Sequence, residues 1–410
     1  MPRSRLFLSL INLTLAAVQT GFGPFVSVWL TERGWDQGDI GMALSLGTIA
    51  GFLGQLPAGL LIDATSRKRL ICAVALGILG LSALMLALFP QWVPVLAAEM
   101  LHGLASCVLA PAIAALTMSL AGHEAFGEQT GINNRYASIG NAAAAVLLGV
   151  WATYLSQRGV LLLTAGMVPL ALLALLGIPA RDGGPVTETG TQAAPTLPGS
   201  CECAAKPNWH IVFERGFLAF ALCSLLFQLA NAALLPLALN TYVAPHKNLD
   251  WIVSACIIAP QIIVAGLSPW LGRLANSWGR RPILLLGLLA LPLRALLIAL
   301  LPNPEMLIPI ELLDGISGAM FGLMLPLIAA DVSRRLGCLN LSISVFNLTG
   351  ALGATVSTTL AGLVADYAGV HVSFLMLASF GAAAVAVVWL MMPETRPARR
   401  IQPEPVMVTA

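Results

Sequence analysis

The chain carries one set of polar landmarks twice, about 213 residues apart, and this duplication limits its fold more than any other feature. Gly59, Asp63, Arg67 and Lys68 recur as Gly272, Asn276, Arg280 and Arg281, each 213 residues later. Asn134, Gly140, Gly149 and Tyr154 recur as Asn347, Gly353, Gly362 and Tyr367 at the same offset. Gln19, Pro24, Glu99 and Gly103 recur as Asn231, Pro236, Glu311 and Gly315 at an offset of 212. A soluble protein could be duplicated too, but a soluble domain needs roughly 25% charged residues to solvate its surface. Here only 10% are charged and 58% are hydrophobic, so the repeated unit is built for lipid.

Inside a bilayer every backbone N–H and C=O must be paired within the protein, so a spanning chain is helical or a closed barrel. The apolar runs are about 20 residues or longer, enough to cross a hydrocarbon core as helix. The short alternating strands of a barrel are absent. The pattern predicts an all-α polytopic membrane protein with spans at 6–30, 39–61, 70–89, 94–120, 129–155, 160–180, 216–242, 250–272, 282–301, 307–330, 339–366 and 371–392. That is six helices, a hydrophilic break and six more: twelve transmembrane helices in two pseudo-symmetric bundles. The first run is too long for a cleavable signal, and no small-residue cleavage site follows it.

Lys and Arg set the orientation of such a chain. With the N-terminus inside, 16 of the 21 fall in inside segments and 3 in outside loops, while Arg135 and Arg294 lie within spans. The expected location is therefore the cytoplasmic (inner) membrane with both termini cytoplasmic. A net charge of +2 implies no nucleic-acid partner.

The expected organisation is an N-terminal bundle over 1–180, a cytoplasmic linker over 181–214, a C-terminal bundle over 215–393 and a short tail over 394–410. No loop is large enough for a soluble catalytic domain. Cys72, Cys107, Cys223 and Cys256 fall in spans, where cysteine behaves as a small apolar residue. Cys201, Cys203 and His210 in the linker do not make a closed metal shell, so no metal is expected. Gly47-x-x-x-Gly51 and Gly353-x-x-x-Ser357 are faces on which helices can approach closely.

The loop after the second span reads Gly59-Leu-Leu-Ile-Asp63-Ala-Thr-Ser-Arg67-Lys68-Arg69, and its copy after the eighth reads Gly272-Arg-Leu-Ala-Asn276-Ser-Trp-Gly-Arg280-Arg281. This resembles the loop signature of the major facilitator superfamily, G-x-x-x-D-x-x-x-R-K/R, at the two places where the family carries it. With the six-plus-six layout the resemblance covers nearly the whole chain. It implies alternating access between two bundles, with spans 1, 4, 7 and 10 lining a central cavity. It also implies a cytoplasmic latch. Gly59 would admit a neighbouring helix, while Asp63 would pair with Arg67 and face a helix N-terminus, where the dipole favours negative charge. Asn276 replaces the acid in the second copy, so that latch should be weaker.

The implied cavity helices carry the second paired feature. Glu99 and His102 stand three residues apart in span 4, as do Glu311 and Asp314 in span 10, a spacing that puts each pair on one helix face. Ionisable groups within a membrane are costly and usually mark ion or substrate pathways. These four are the proton-coupling candidates; the bland alternative is that Glu99 and Glu311 snorkel to the outer water. Many relatives carry Arg four residues before the span 4 glycine, where this chain has Glu99. Gln19 and Asn231 at mid-membrane, Asn134 with its repeat Asn347, and Arg135 are the substrate-cavity candidates. Arg135 could pair with an acid across the cavity or hold an anionic substrate. Arg294 is expected to snorkel on the lipid side, because the resemblance places span 9 at the periphery.

The sequence thus suggests a secondary transporter of a small organic molecule. It would be driven by the proton gradient with no cofactor, and would be monomeric. Export of a drug-like or secreted metabolite is the first reading. Uptake or exchange of an organic anion, such as a carboxylate or siderophore-like ligand, is the second. The absence of a Gly-Pro pair from span 5 counts against export. A non-transporting sensor on a carrier scaffold is the reading from another class. Nothing suggests an enzyme: the chain has no nucleophile–base pair, metal cage or phosphate loop.

Overall fold

The structure is a computed structural model, and it describes residues 3–22, 24–178, 214–243, 250–301, 303–333 and 338–395. Linker residues 181–213, including Cys201, Cys203 and His210, and tail residues 396–410 lie outside the described residues. The helices run α1 (Arg3–Thr20), α2 (Pro24–Glu32), α3 (Gln37–Ala64), α4 (Lys68–Leu88), α5 (Trp92–Tyr154), α6 (Gln157–Leu176), α7 (Arg215–Asn231), α8 (Leu234–Ala238), α9 (Asp250–Trp278), α10 (Arg280–Leu300), α11 (Leu307–Ser333), α12 (Leu339–Ala368) and α13 (Val370–Met391). Among the described residues there is no strand.

Among the described residues eleven helical segments are long and apolar enough to cross a membrane. One of them, Trp92–Ala152, has 61 residues and would be on the order of 90 Å long if straight, far more than one crossing needs. It is instead a hairpin. Gly122 leaves helical geometry at φ 69°, ψ 172°, a left-handed backbone that glycine adopts without a Cβ clash. The Asn133 Nδ2 donates to Thr117 Oγ1 at 3.0 Å, although sixteen residues of straight helix would hold these groups roughly 24 Å apart. Spans 4 and 5, expected as separate helices with a loop over 121–128, are therefore two arms of α5 joined by one glycine turn. The other departure is at spans 1 and 7, which are each interrupted: α1 gives way to α2 after Thr20, and α7 to α8 after Asn231. The prolines that follow, Pro24 and Pro236, lack the N–H that would continue the ladder.

Apolar packing follows the repeat. One buried cluster draws only on residues 8 to 178. A second draws on residues 217 to 392 plus a single residue of the first half, Phe126. The glycine faces are used as expected. A Cβ on Gly51 would lie 3.2 Å from the Gly103 carbonyl, and one on Gly47 would lie 2.8 Å from that of Glu99, so α3 rests directly on the first arm of α5.

Between the halves the main seams are α3 against α12 and α5 against α9. The tight contacts gather at the end that holds the Arg67–Lys68 and Arg280–Arg281 loops, here called the basic end. A Cβ on Gly59 would lie 2.6 Å from Ser344 Oγ and 2.8 Å from the Asn340 carbonyl. On the other seam Gly127 meets Gly272, and Gly131 meets Ser268, backbone to backbone. The two halves are closed together at the basic end.

Candidate functional site

In the second half four polar residues converge. Arg294 is 1% exposed and Glu311 is 0% exposed. The Arg294 guanidinium grips Glu311 with Nη2 at 2.8 and 2.9 Å and with Nε at 3.2 Å. Its Nη1 donates to Asp314 Oδ1 at 2.6 Å and also to Asn231 Oδ1. These five contacts engage Nε and both terminal nitrogens of the guanidinium. α10 supplies the cation, α11 the two carboxyl groups and the end of α7 the amide. The expectation that Arg294 snorkels to lipid is thereby corrected. It lies in register with the buried stripe Gly287, Leu291, Ala295 and Ile298 of α10. Its partners satisfy it inside the protein, whereas the outer end of the helix is about 9 Å away at ~1.5 Å per residue.

In the first half the equivalent place is furnished differently. Glu99 is 4% exposed, and its Oε1 has no hydrogen-bond partner. Its nearest ionisable neighbour is His102, with Nδ1 at 3.9 Å from Oε2, beyond hydrogen-bond range. His102 stacks flat on Phe22, ring centroids 3.9 Å apart, so its ring plane is held by the residue that follows the α1 break. Ser82 of α4 is fully buried and donates to the Ala98 carbonyl at 2.7 Å. Both acids are thus enclosed, and neither reaches outer water, which removes the snorkelling alternative for them.

The candidate cavity residues separate. Asn134 lines a cavity of about 270 Å³ together with Ser138, Gln261, Asp314, Gly318 and Gly322. Asn231 belongs to the Arg294 network. Gln19 is exposed, next to the α1 break, and Asn347 is half-buried on α12. Among the described residues Arg135 pairs with no acid: its Nε donates across the seam to the Ala265 carbonyl of α9 at 2.9 Å.

At the basic end Asp63 meets a helix N-terminus, while its expected partner Arg67 is not engaged among the described residues. Its Oδ1 accepts from the Asn340 N–H at 3.1 Å and from Asn340 Nδ2 at 2.6 Å, and its Oδ2 accepts from the Leu341 N–H at 2.9 Å. These donors form the first turn of α12, where free N–H groups and the helix dipole favour a carboxylate. The expected Asp63–Arg67 ion pair is not formed among the described residues, because the helix terminus already occupies both carboxylate oxygens. In the second copy Asn276 Nδ2 donates across the seam to the Glu124 carbonyl at 3.3 Å, while its Oδ1 accepts from Arg280 Nη1 of its own half at 3.3 Å. Lys68 begins α4.

Sequence reasoning missed two residues here. Arg280 pairs with Asp331 at 2.9 Å and donates to the Ala275 carbonyl at 2.6 Å. Glu394 accepts from the Arg280 and Arg281 backbone N–H groups at 2.8 and 3.1 Å, so the segment after α13 caps α10. Asp331 was legible as an acid in the last turn of a spanning helix. Glu394 was not, since nothing local ties it to residue 280.

A multi-pass helical membrane protein with two matched halves, closed together at one end around polar groups, is a carrier by architecture, not an enzyme. The chain belongs to the Major Facilitator Superfamily, whose family model matches residues 8–354 and 251–407. It is 32% identical over 399 residues to an uncharacterized MFS-type transporter of Mycobacterium tuberculosis, covering 96% of this chain and 94% of that protein. Over 180 residues it is 26% identical to the multi-drug resistance efflux pump PmrA of Streptococcus pneumoniae, covering 43% and 42% of the two chains. In fold it is similar to the fucose:proton symporter FucP of Escherichia coli, with a TM-score of 0.71 at 16% identity over 95% of this chain and 98% of that one.

Proposed function

We propose that this transporter is a proton-coupled exporter of a small organic molecule. Its halves, 1–180 and 215–393, rock about the central cavity while the basic end faces the cytoplasm of an inner-membrane monomer. The observation that carries the coupling is Glu99. A buried carboxyl with one oxygen unpartnered and no cation in contact is costly when ionised, so it holds a proton while enclosed and releases one when the cycle exposes it. His102 is the adjacent group able to exchange that proton. Export is supported by the likeness to an efflux pump in about two-fifths of the chain, and alternating access by the contacts that seal the basic end. The latch of Asp63 on α12 would hold this outward-facing arrangement.

The test uses proteoliposomes in which a pH gradient drives transport of cationic dyes and pooled metabolites. Wild-type protein should accumulate a substrate and move protons with it. Glu99→Gln should lose gradient-driven accumulation at least ten-fold while keeping substrate exchange at equal pH. If Glu99→Gln still concentrates substrate on the gradient, Glu99 is not the coupling group.

A further inference from the structure

The cavity beside Asp314, between the two halves, has a floor, a charge and a side opening, and together these specify a ligand class. The floor is a row on α11: Asp314, Gly318 and Gly322 are each four residues apart and so lie along one helix face. A Cβ on Gly318 would meet nothing within 4 Å, so the row is a carboxyl group above an empty trough. Asn134, Ser138 and Gln261 form the facing wall from α5 and α9.

The charge is acidic. One guanidinium faces two carboxyl groups, and Glu311, fully buried, takes three of its five bonds. Asp314 receives one bond, on Oδ1, and is 26% exposed at the side chain. All three Arg294 nitrogens are bonded to carboxyl or amide oxygens and the side chain is buried, so the cavity offers an anion no accessible cation. A cation gains the partly exposed Asp314.

The opening is sideways. Ser138 and Gln261 also line a second, apolar space of about 740 Å³ that continues along the α5–α9 seam past Ile139, Val146, Val150 and Ile262. On α5 these positions lie roughly 80–120° further round the helix than Ser138, at about 100° per residue. Val146, Val150 and Ile262 are 53%, 52% and 63% exposed, so this apolar groove is open at the surface of the bundle. Towards the basic end the seam is shut by Gly131 on Ser268 and by Arg135 on the Ala265 carbonyl.

We propose that the protein binds an amphipathic organic monocation whose charged group sits at Asp314 among Asn134, Ser138 and Gln261. The apolar portion lies in the groove between α5 and α9, from which the molecule passes laterally to lipid. This deepens the transporter reading and rests on it.

The test is equilibrium binding by calorimetry to the full chain in polymer nanodiscs, with empty discs subtracted and no gradient present. The probes are octyltrimethylammonium, octyl sulfate and tetramethylammonium. Octyltrimethylammonium should bind at least ten-fold more tightly than either of the others. Asp314→Asn should weaken it at least ten-fold. Ile262→Trp, which fills the groove and leaves the ion network untouched, should weaken octyltrimethylammonium several-fold and leave tetramethylammonium unchanged. If Asp314→Asn fails to fold, the Ile262→Trp arm alone decides. Equal binding of the octyl cation and anion, or an octyl cation insensitive to both substitutions, overturns the proposal. Because no proton gradient enters the assay, that failure leaves the role of Glu99 standing, and failure of the Glu99 test leaves this site standing.

Discussion

Gln19, Ser82, Glu99 and His102 in the first half correspond to Asn231, Arg294, Glu311 and Asp314 in the second, every pair separated by 212 residues. The same four places in the repeat therefore hold two different electrostatic solutions. In the second half a buried arginine satisfies both acids and the amide. In the first half a buried serine stands where the arginine would be, and its hydroxyl goes to a backbone carbonyl, leaving Glu99 with an open oxygen. Duplication supplied one scaffold. Divergence at Ser82 and Arg294 gave one copy an ion network and left the other with a buried carboxyl that has an unpartnered oxygen.

The largest effect expected from breaking this contrast is on stability. Arg294→Met strands Glu311 as an uncompensated buried acid, a loss of about 3–5 kcal/mol in systems of this kind. A thermal shift assay in detergent should register it as a strongly lowered Tm. Adding Glu311→Gln to that variant should recover much of the loss. If Arg294→Met melts like the wild type, the network is not structural. Glu99→Gln is the converse case: it removes an open buried acid, so Tm should hold or rise while gradient-driven transport falls at least ten-fold. Under the antiport reading, export by the wild type should quicken as the outside is acidified, and the Glu99→Gln protein should be flat across the same pH range.

Smaller effects are expected at the basic end, where the two copies also differ. Asp63→Asn replaces a charge-assisted cap of α12 with a neutral one, worth about 1 kcal/mol. Turnover should drop several-fold, and spin labels on α2 and α8 at the ends away from the basic loops should report shorter distances as the proposed outward-facing arrangement loses population. Asn276→Asp should change little. It gives up one bond to the Glu124 carbonyl and gains a charge beside Arg280, which Asp331 already holds. A large effect there would mean that the second copy gates as strongly as the first.

Much of this molecule was legible as text. The spacing of glycine and charge placed the two loops, the apolar runs placed the helices, and Glu99 with His102 and Glu311 with Asp314 were visible as pairs. Arg294 was visible as a charge in the membrane but was assigned to the wrong face. Span 9 is apolar all round, so no periodicity marks which side is buried. The turn at Gly122 was hidden because Gly122 sits among helix formers with no proline to announce a break. Glu394 meets α10 across 113 residues, and no local pattern predicts a partner at that range.

What the sequence determined by itself is whatever depends on local cost. Low charge, long apolar runs and a two-fold repeat admit a paired helical membrane bundle and little else, because an unpaired backbone cannot sit in lipid. What only the tertiary structure decided is which ionisable groups face one another. A buried charge is stable or reactive according to the atoms within about 4 Å of it. In this chain those atoms come from helices far apart in sequence, so an arginine read as peripheral became the centre of one half, and its absence defined the other.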